Sequence, residues 1–281
     1  MGNSRIVDSS KSLEHLIEFF CYNGAPENKD LDNEILVLVN HGYVVGFSTK
    51  TLQPAWSAYR VAEGKAKRGV DVEDINKWYQ RPHLYYEDTR LPEEYRVGTD
   101  TFGRVQGGDF DGEQLNVGHM TPNLAIAQQW GRLAQTETFF MSNMSPQFGS
   151  LNAGFWKKLE KNILELYLPD KEHLWIITGP VFRSVLGHVE RDNGLRVPIP
   201  SHYFLIGIDP VEYPFNPSQV DVLAMEIPQD AASDTVDFSQ LSTVEAIEEA
   251  TNLRFFSNLS DVRHGNFIKR RVQPKERNNR L

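Results

Sequence analysis

The sequence predicts a single α+β domain, with a central mixed or antiparallel sheet flanked by helices. Three observations carry that prediction. Two apolar runs, Ile35–Val39 and Tyr43–Phe47, bracket Asn40-His41-Gly42, the signature of a β-hairpin. A stretch from Leu151 to Tyr167 reads as the clearest helix and ends at Pro169. Leu174–Thr178, His202–Ile208 and Val220–Ile227 read as further strands. With 281 residues, 40% of them hydrophobic and 11% aromatic, the chain can bury the core such a sheet needs.

In chain order, a polar opening holds one amphipathic stretch, Leu13 to Phe20. Leu13, Leu16, Ile17 and Phe20 share a helical face there. After the hairpin, Pro54–Val61 predicts a third strand with Trp56, Tyr59 and Val61 as core residues. From Ala62 to Gly112 the chain is charged, rich in Gly and Pro and weakly periodic, which predicts long surface loops. Loops of that length in a compact domain are usually functional or disordered. Thr136–Met141 (Thr-Glu-Thr-Phe-Phe-Met) is read as a strand, and Thr243–Thr251 as a short helix with a Ser/Thr start. There is no internal repeat and no low-complexity tract.

Composition excludes several classes. The longest aliphatic run, Ile35–Val39, falls far short of the roughly 20 residues that cross a membrane. The amino-terminal residues lack the apolar stretch of a secretory signal. One cysteine, Cys21, allows no intramolecular disulfide and no thiolate metal cluster, so a reducing, cytoplasmic compartment is expected. The net charge of −9 argues against a duplex-binding protein on composition alone. The last 19 residues, from Arg263, carry seven Lys or Arg against one acid. They are either a solvated terminus or an electrostatic arm for phosphates.

Two segments carry chemistry. One is Asn116-Val117-Gly118-His119-Met120-Thr121-Pro122-Asn123, a histidine behind a glycine and ahead of a proline. The other runs Ser142-Asn143-Met144-Ser145-Pro146-Gln147, then Asn152, Trp156 and Glu160. Four-residue steps rotate by only about 40° on a helix, so the last three share one stripe. A core stripe should be aliphatic, whereas Asn, Trp and Glu suit a polar cleft. Taken singly, each signal has an ordinary explanation: a structural histidine, a helix cap, a turn, a solvated i,i+3 pair. Their joint order does not. No Walker loop, dinucleotide-binding fingerprint, zinc-protease His pair or nucleophile elbow occurs.

That order, Gly-His-x-x-Pro, then Ser-Asn-x-x-Pro-Gln, then Asn-x-x-x-Trp-x-x-x-Glu, resembles the DNA/RNA non-specific endonucleases of the ββα-metal (His-Me finger) type, among them endonuclease G. The likeness includes Leu38-Val39-Asn40, Pro54-x-Trp56-x-x-Tyr59, Thr178-Gly179-Pro180-Val181, Pro198-x-Pro200-Ser201-His202 and the segment Val244 to Phe256. It divides the chain into an extension with a short helix (1–33), an endonuclease domain (34–262) and a basic tail (263–281). The resemblance implies a ββα-metal fold and hydrolysis of DNA, and of RNA, with 5′-phosphate ends and little sequence preference. It implies His119 as general base, Asn152 as the one direct ligand of Mg²⁺ (Mn²⁺ as substitute), and Glu160 holding the metal's waters. Asn143 and Gln147 match residues that position the loop and the substrate. Trp156 matches a structural residue.

The sequence departs from the family at two positions before the histidine, where Asp-Arg-Gly-His is usual. Asn116 keeps the shape of the aspartate without its charge, and Val117 replaces a phosphate-facing arginine. A second family arginine has no assigned match, and Arg81, Arg68 and Arg104 are the candidates to supply its charge. The rival reading is therefore a catalytically weakened or dead fold that binds nucleic acid or protein; a third is a phosphodiesterase acting on small nucleotides. An unspecific nuclease endangers its own cell, which leads to the expectation of a defence-type effector with an inhibitory or activating protein partner docked near Leu13–Phe20. No membrane is expected, and an oligomer is compatible with the sequence.

Overall fold

The computed structural model describes residues 9–62, 80–99, 102–191, 193–210, 220–231 and 238–259. The strands are β1 Glu27–Asn28, β2 Ile35–Val39, β3 Tyr43–Ser48, β4 Gln53–Ala62, β5 Leu115–His119, β6 Met144–Phe148, β7 His173–Glu190, β8 Arg196–Pro210, β9 Val220–Pro228 and β10 Leu253–Arg254. The helices are α1 Ser9–Phe20, α2 Asn123–Trp130, α3 Arg132–Glu137, α4 over residues 151–170, and α5 Val244–Thr251. Six strands pair antiparallel in the order β2-β3-β4-β7-β8-β9, while β5-β6 and β1-β10 form two-stranded ribbons.

Period-2 alternation sends neighbouring residues of the large sheet to opposite faces, and both faces are covered. Tyr43, Val45, Tyr59, Ile176, Tyr203 and Leu205 pack on one side with Trp156 and Leu159 of α4. Val44, Ala58, Trp175, Ile177, Phe204 and Ile206 pack on the other with Phe20 of α1 and Val244 and Ile247 of α5. A sheet buried on two sides needs near-continuous apolar strands, which is why these runs stand out in the sequence. The expected hairpin forms with Val39 opposite Val44, closed by the Asn40 N–H on the Tyr43 carbonyl at 2.9 Å. Gly46 is required opposite Trp56, because a Cβ there would lie 2.3 Å from the indole.

The ends of α5 follow local rules. Thr243 Oγ1 accepts the Ala246 N–H at 3.0 Å, and Asn252 takes the left-handed conformation (φ 54°) that stops the helix. The helix expected at Leu13–Phe20 is α1, although its apolar face is only partly covered. Phe20 is buried, while Leu13, Leu16 and Phe19 remain exposed. Residues 20–28, within the expected extension, are woven into the fold, since Phe20, Cys21 and Tyr22 are buried and β1 pairs with β10.

Thr136–Met141 is not a strand. Its first residues finish α3, with Thr136 Oγ1 donating to the Arg132 carbonyl and Thr138 Oγ1 to that of Gln135, and Met141–Asn143 adds a 3₁₀ turn. Side-chain-to-backbone bonds and burial of Phe139 override the β propensity of Thr and Phe. Conversely, β5 and β6 lie in segments read as motif and turn, where Gly118 and Pro146 hide the strand pattern. Within 62–112, residues 80–99 carry one regular element, the 3₁₀ turn Glu93–Tyr95. Arg68 and the basic tail lie outside the described residues.

Candidate active site

The β5-β6 ribbon and α4 form a ββα unit bolted to the large sheet by polar contacts. Ser145 Oγ donates to Gln53 Oε1 at 2.6 Å and lies 2.8 Å from the Tyr203 hydroxyl, which itself donates to the Pro146 carbonyl. Gln229 donates to that carbonyl and accepts the Phe148 N–H. These buried bonds fix β6 on β8, and the ladder from Leu115↔Phe148 to His119↔Met144 then fixes β5.

His119 ends β5, and the residues after it are clamped. Thr178 Oγ1 donates to the Met120 carbonyl at 2.8 Å. The Asn143 amide accepts the Thr121 N–H at 2.9 Å and donates to the carbonyls of Thr121 and Thr138, both at 3.0 Å. Asn143 is fully buried. Its hydrogen bonds are made to the protein and hold the loop after His119 in place.

The imidazole of His119 packs edge-on to Phe139, with centroids 4.8 Å apart, and lies 6.2 Å from the Tyr85 ring. Its Nε2 is buried with no hydrogen-bond partner. Desolvation, reinforced by the positive field of Arg81, pushes its pKa down to about 3. The ring is therefore neutral at physiological pH. Gln147 is also buried, its amide laid over Gly118, where a Cβ would sit 2.1 Å from Oε1. A side chain at Gly118 would push the Gln147 amide aside, and neither amide atom of Gln147 has a partner among the described residues.

The helix α4 is unusual. Leu151–Trp156 and Ile163–Tyr167 are π-helical and enclose an α-helical Lys157–Asn162. Such π segments recur at functional sites. Trp156 is buried and edge-on to Tyr203 at 5.7 Å, as a structural residue should be. Asn152 and Glu160 are half-buried. Desolvation pushes the Glu160 carboxyl up to about 8, while the charges of Arg81 and Lys157 pull it back.

Among the described residues, Arg81 is the arginine whose field reaches both His119 and Glu160. It is exposed, 5.5 Å from the centroid of Phe139. Arg104 instead donates to the Gly112 carbonyl of its own loop at 2.7 Å. Val117 is buried and joins the apolar core. Asn116 is half-buried and, three residues from His119, projects from the other face of β5. Its Oδ1 lies beside Gly149. Sequence reasoning did not single out Tyr85 and Phe139, the rings that hold His119; the Phe139-Phe140 pair was absorbed into a strand.

Among the described residues, no group of three or more His, Cys, Asp or Glu gathers to cage a metal. The oxygen donors that α4 supplies are one amide, Asn152, and one carboxyl, Glu160. That set fits a hard cation of the Mg²⁺ kind, which takes few protein oxygens and keeps its waters, and does not fit zinc.

A ββα unit carrying a neutral histidine, over an antiparallel sheet, defines a ββα-metal nuclease fold. The profile of the DNA/RNA non-specific endonucleases matches residues 22–262, and the chain belongs to that family. It is 25% identical over 240 residues to a nuclease of Syncephalastrum racemosum, covering 79% of this chain and 68% of that one. It is 27% identical over 237 residues to the mitochondrial nuclease 1 of Schizosaccharomyces pombe, covering 79% and 66%. The chain thus spans about two thirds of the length of these relatives. Its fold is similar to a chain in the crystal structure of the EndoG/EndoGI complex, at a TM-score of 0.62 and 17% identity, covering 92% of this chain and 95% of that one.

Proposed function

We propose that this chain is a divalent-cation-dependent endonuclease that hydrolyses phosphodiester bonds of DNA and RNA with little sequence preference. The observation that carries the reading is His119, neutral, with an unpartnered nitrogen, under the field of an exposed arginine that also acts on Glu160. A neutral imidazole accepts the proton of the water that attacks phosphorus. An incoming phosphate is anionic, so it raises the basicity of His119 from its depressed value as the substrate binds. Arg81 faces that phosphate and offsets the charge that builds on it. Asn152, with Glu160 behind it, holds Mg²⁺ or Mn²⁺, which when bound stabilises the crowded phosphate and the departing 3′ oxygen. Glu160 must release its proton to do so, and the charges of Arg81 and Lys157 favour that release.

Val117, where the family has a phosphate-facing arginine, favours the second reading, a weakened or silent fold that binds without cutting. Plasmid, single-stranded DNA and RNA incubated with Mg²⁺ or EDTA separate the two. Cleavage with Mg²⁺ alone is expected, and binding without cleavage overturns the enzymatic reading. His119→Ala and Asn152→Ala should each abolish cleavage without unfolding the protein; more than a tenth of the wild-type rate would remove that residue from its role. The exposed Leu13, Leu16 and Phe19 of α1 are the surface we assign to a regulatory protein partner.

A further inference from the structure

With Val117 buried on the same face as His119, β5 offers no cation to substrate there. Another exposed cation stands on α4. Lys157 has no carboxylate partner among the described residues, whereas Lys161 lies 3.6 Å from Glu165. The backbone sets where Lys157 sits. Lys157 closes the π-helical turn Leu151–Trp156, with its N–H on the Gly154 carbonyl, and opens the α-helical turn that carries Glu160. In the α-helical turn that follows, Lys157 is three residues before Glu160, a surface neighbour. Along the helix it falls between Asn152 and Glu160 in the chain. Its charge acts on Glu160 alongside that of Arg81.

We propose that Lys157 is a second phosphate-binding cation of this site, gripping a phosphate next to the scissile one and compensating for the arginine absent at Val117. The proposal rests on the nuclease reading above. A lysine suits the task, being a point charge on a flexible stem that reaches a phosphate without fixed geometry. It binds the strand and takes no part in proton transfer.

The test is the affinity of proteins carrying His119→Ala for a labelled single-stranded oligonucleotide, in EDTA, across a range of salt. Adding Lys157→Gln should weaken binding about 5- to 10-fold at low salt and make the log-affinity slope against log salt shallower by about 0.7, the loss of one phosphate contact. Lys157→Arg should restore both, and Lys158→Gln, one residue along, should change neither. With His119 intact, Lys157→Gln should raise KM by a larger factor than it lowers kcat. Unchanged affinity and slope in Lys157→Gln, or an equal loss in Lys158→Gln, overturns the assignment. A wild-type protein that cleaves nothing refutes the nuclease reading instead, and the binding measurement still judges Lys157.

Discussion

Replacing Glu160 with Gln should stabilise the protein at alkaline pH and leave it near wild type at acid pH. The carboxyl is pushed from 4.5 up to about 8, chiefly because folding strips water from it. A folded-state value above the unfolded one means the native state holds a proton the unfolded chain has lost. The associated stability is complete below 4.5 and is lost as pH rises through about 8. A displacement of that size corresponds to on the order of 5 kcal/mol, at about 1.36 kcal/mol per pH unit. The side chain is only half-buried, so screening reduces the loss to about 2–3 kcal/mol. Glutamine has the shape of the protonated carboxyl and nothing to ionise. His119 titrates with the opposite sign: its depressed value leaves its contribution complete above 6.5 and lost as pH falls toward about 3. That contribution cancels when variant and wild type are compared at one pH. Urea unfolding in EDTA between about pH 5 and pH 9 measures the difference, which should grow by about 2–3 kcal/mol in favour of Glu160→Gln. A difference flat to within about 0.5 kcal/mol would refute the view of Glu160 as a desolvated carboxyl held beside two cations.

Trp156→Ala should cost about 3–5 kcal/mol, because it empties a buried site against Tyr203; an unchanged melting temperature would place the indole outside the core. Asn143→Ala strands the Thr121 N–H and the carbonyls of Thr121 and Thr138, and should cost at least about 2 kcal/mol in thermal or urea unfolding. Val117→Arg should give no gain in turnover and a large loss of stability, since it drives a charge into the apolar core, while Arg81→Ala lowers kcat/KM and Arg104→Ala does not. A faster Val117→Arg enzyme would mean that the pocket beside His119 opens to admit a guanidinium.

The sequence by itself determined the elements whose burial is two-sided or whose ends obey local chemistry. The hairpin at Ile35–Phe47, the strands β4, β7, β8 and β9, and α5 with its Thr243 cap are legible because alternation and capping act within a few residues. It also set the order His119, Asn143, Asn152, Glu160, and with it the family. Tertiary structure decided the rest, because the deciding forces join distant segments. Thr136–Met141 has strand-forming residues, yet backbone-directed threonine bonds and the packing of Phe139 on His119 make it the end of α3 and a turn. Gly118 and Pro146 are poor strand formers, yet the Tyr203, Gln53 and Gln229 bonds hold them in a ladder. Three arginines were equal candidates in the sequence. Only the fold sets Arg81 where its field reaches His119 and Glu160 while tying Arg104 to its own loop, because electrostatic reach depends on distance in space and not along the chain.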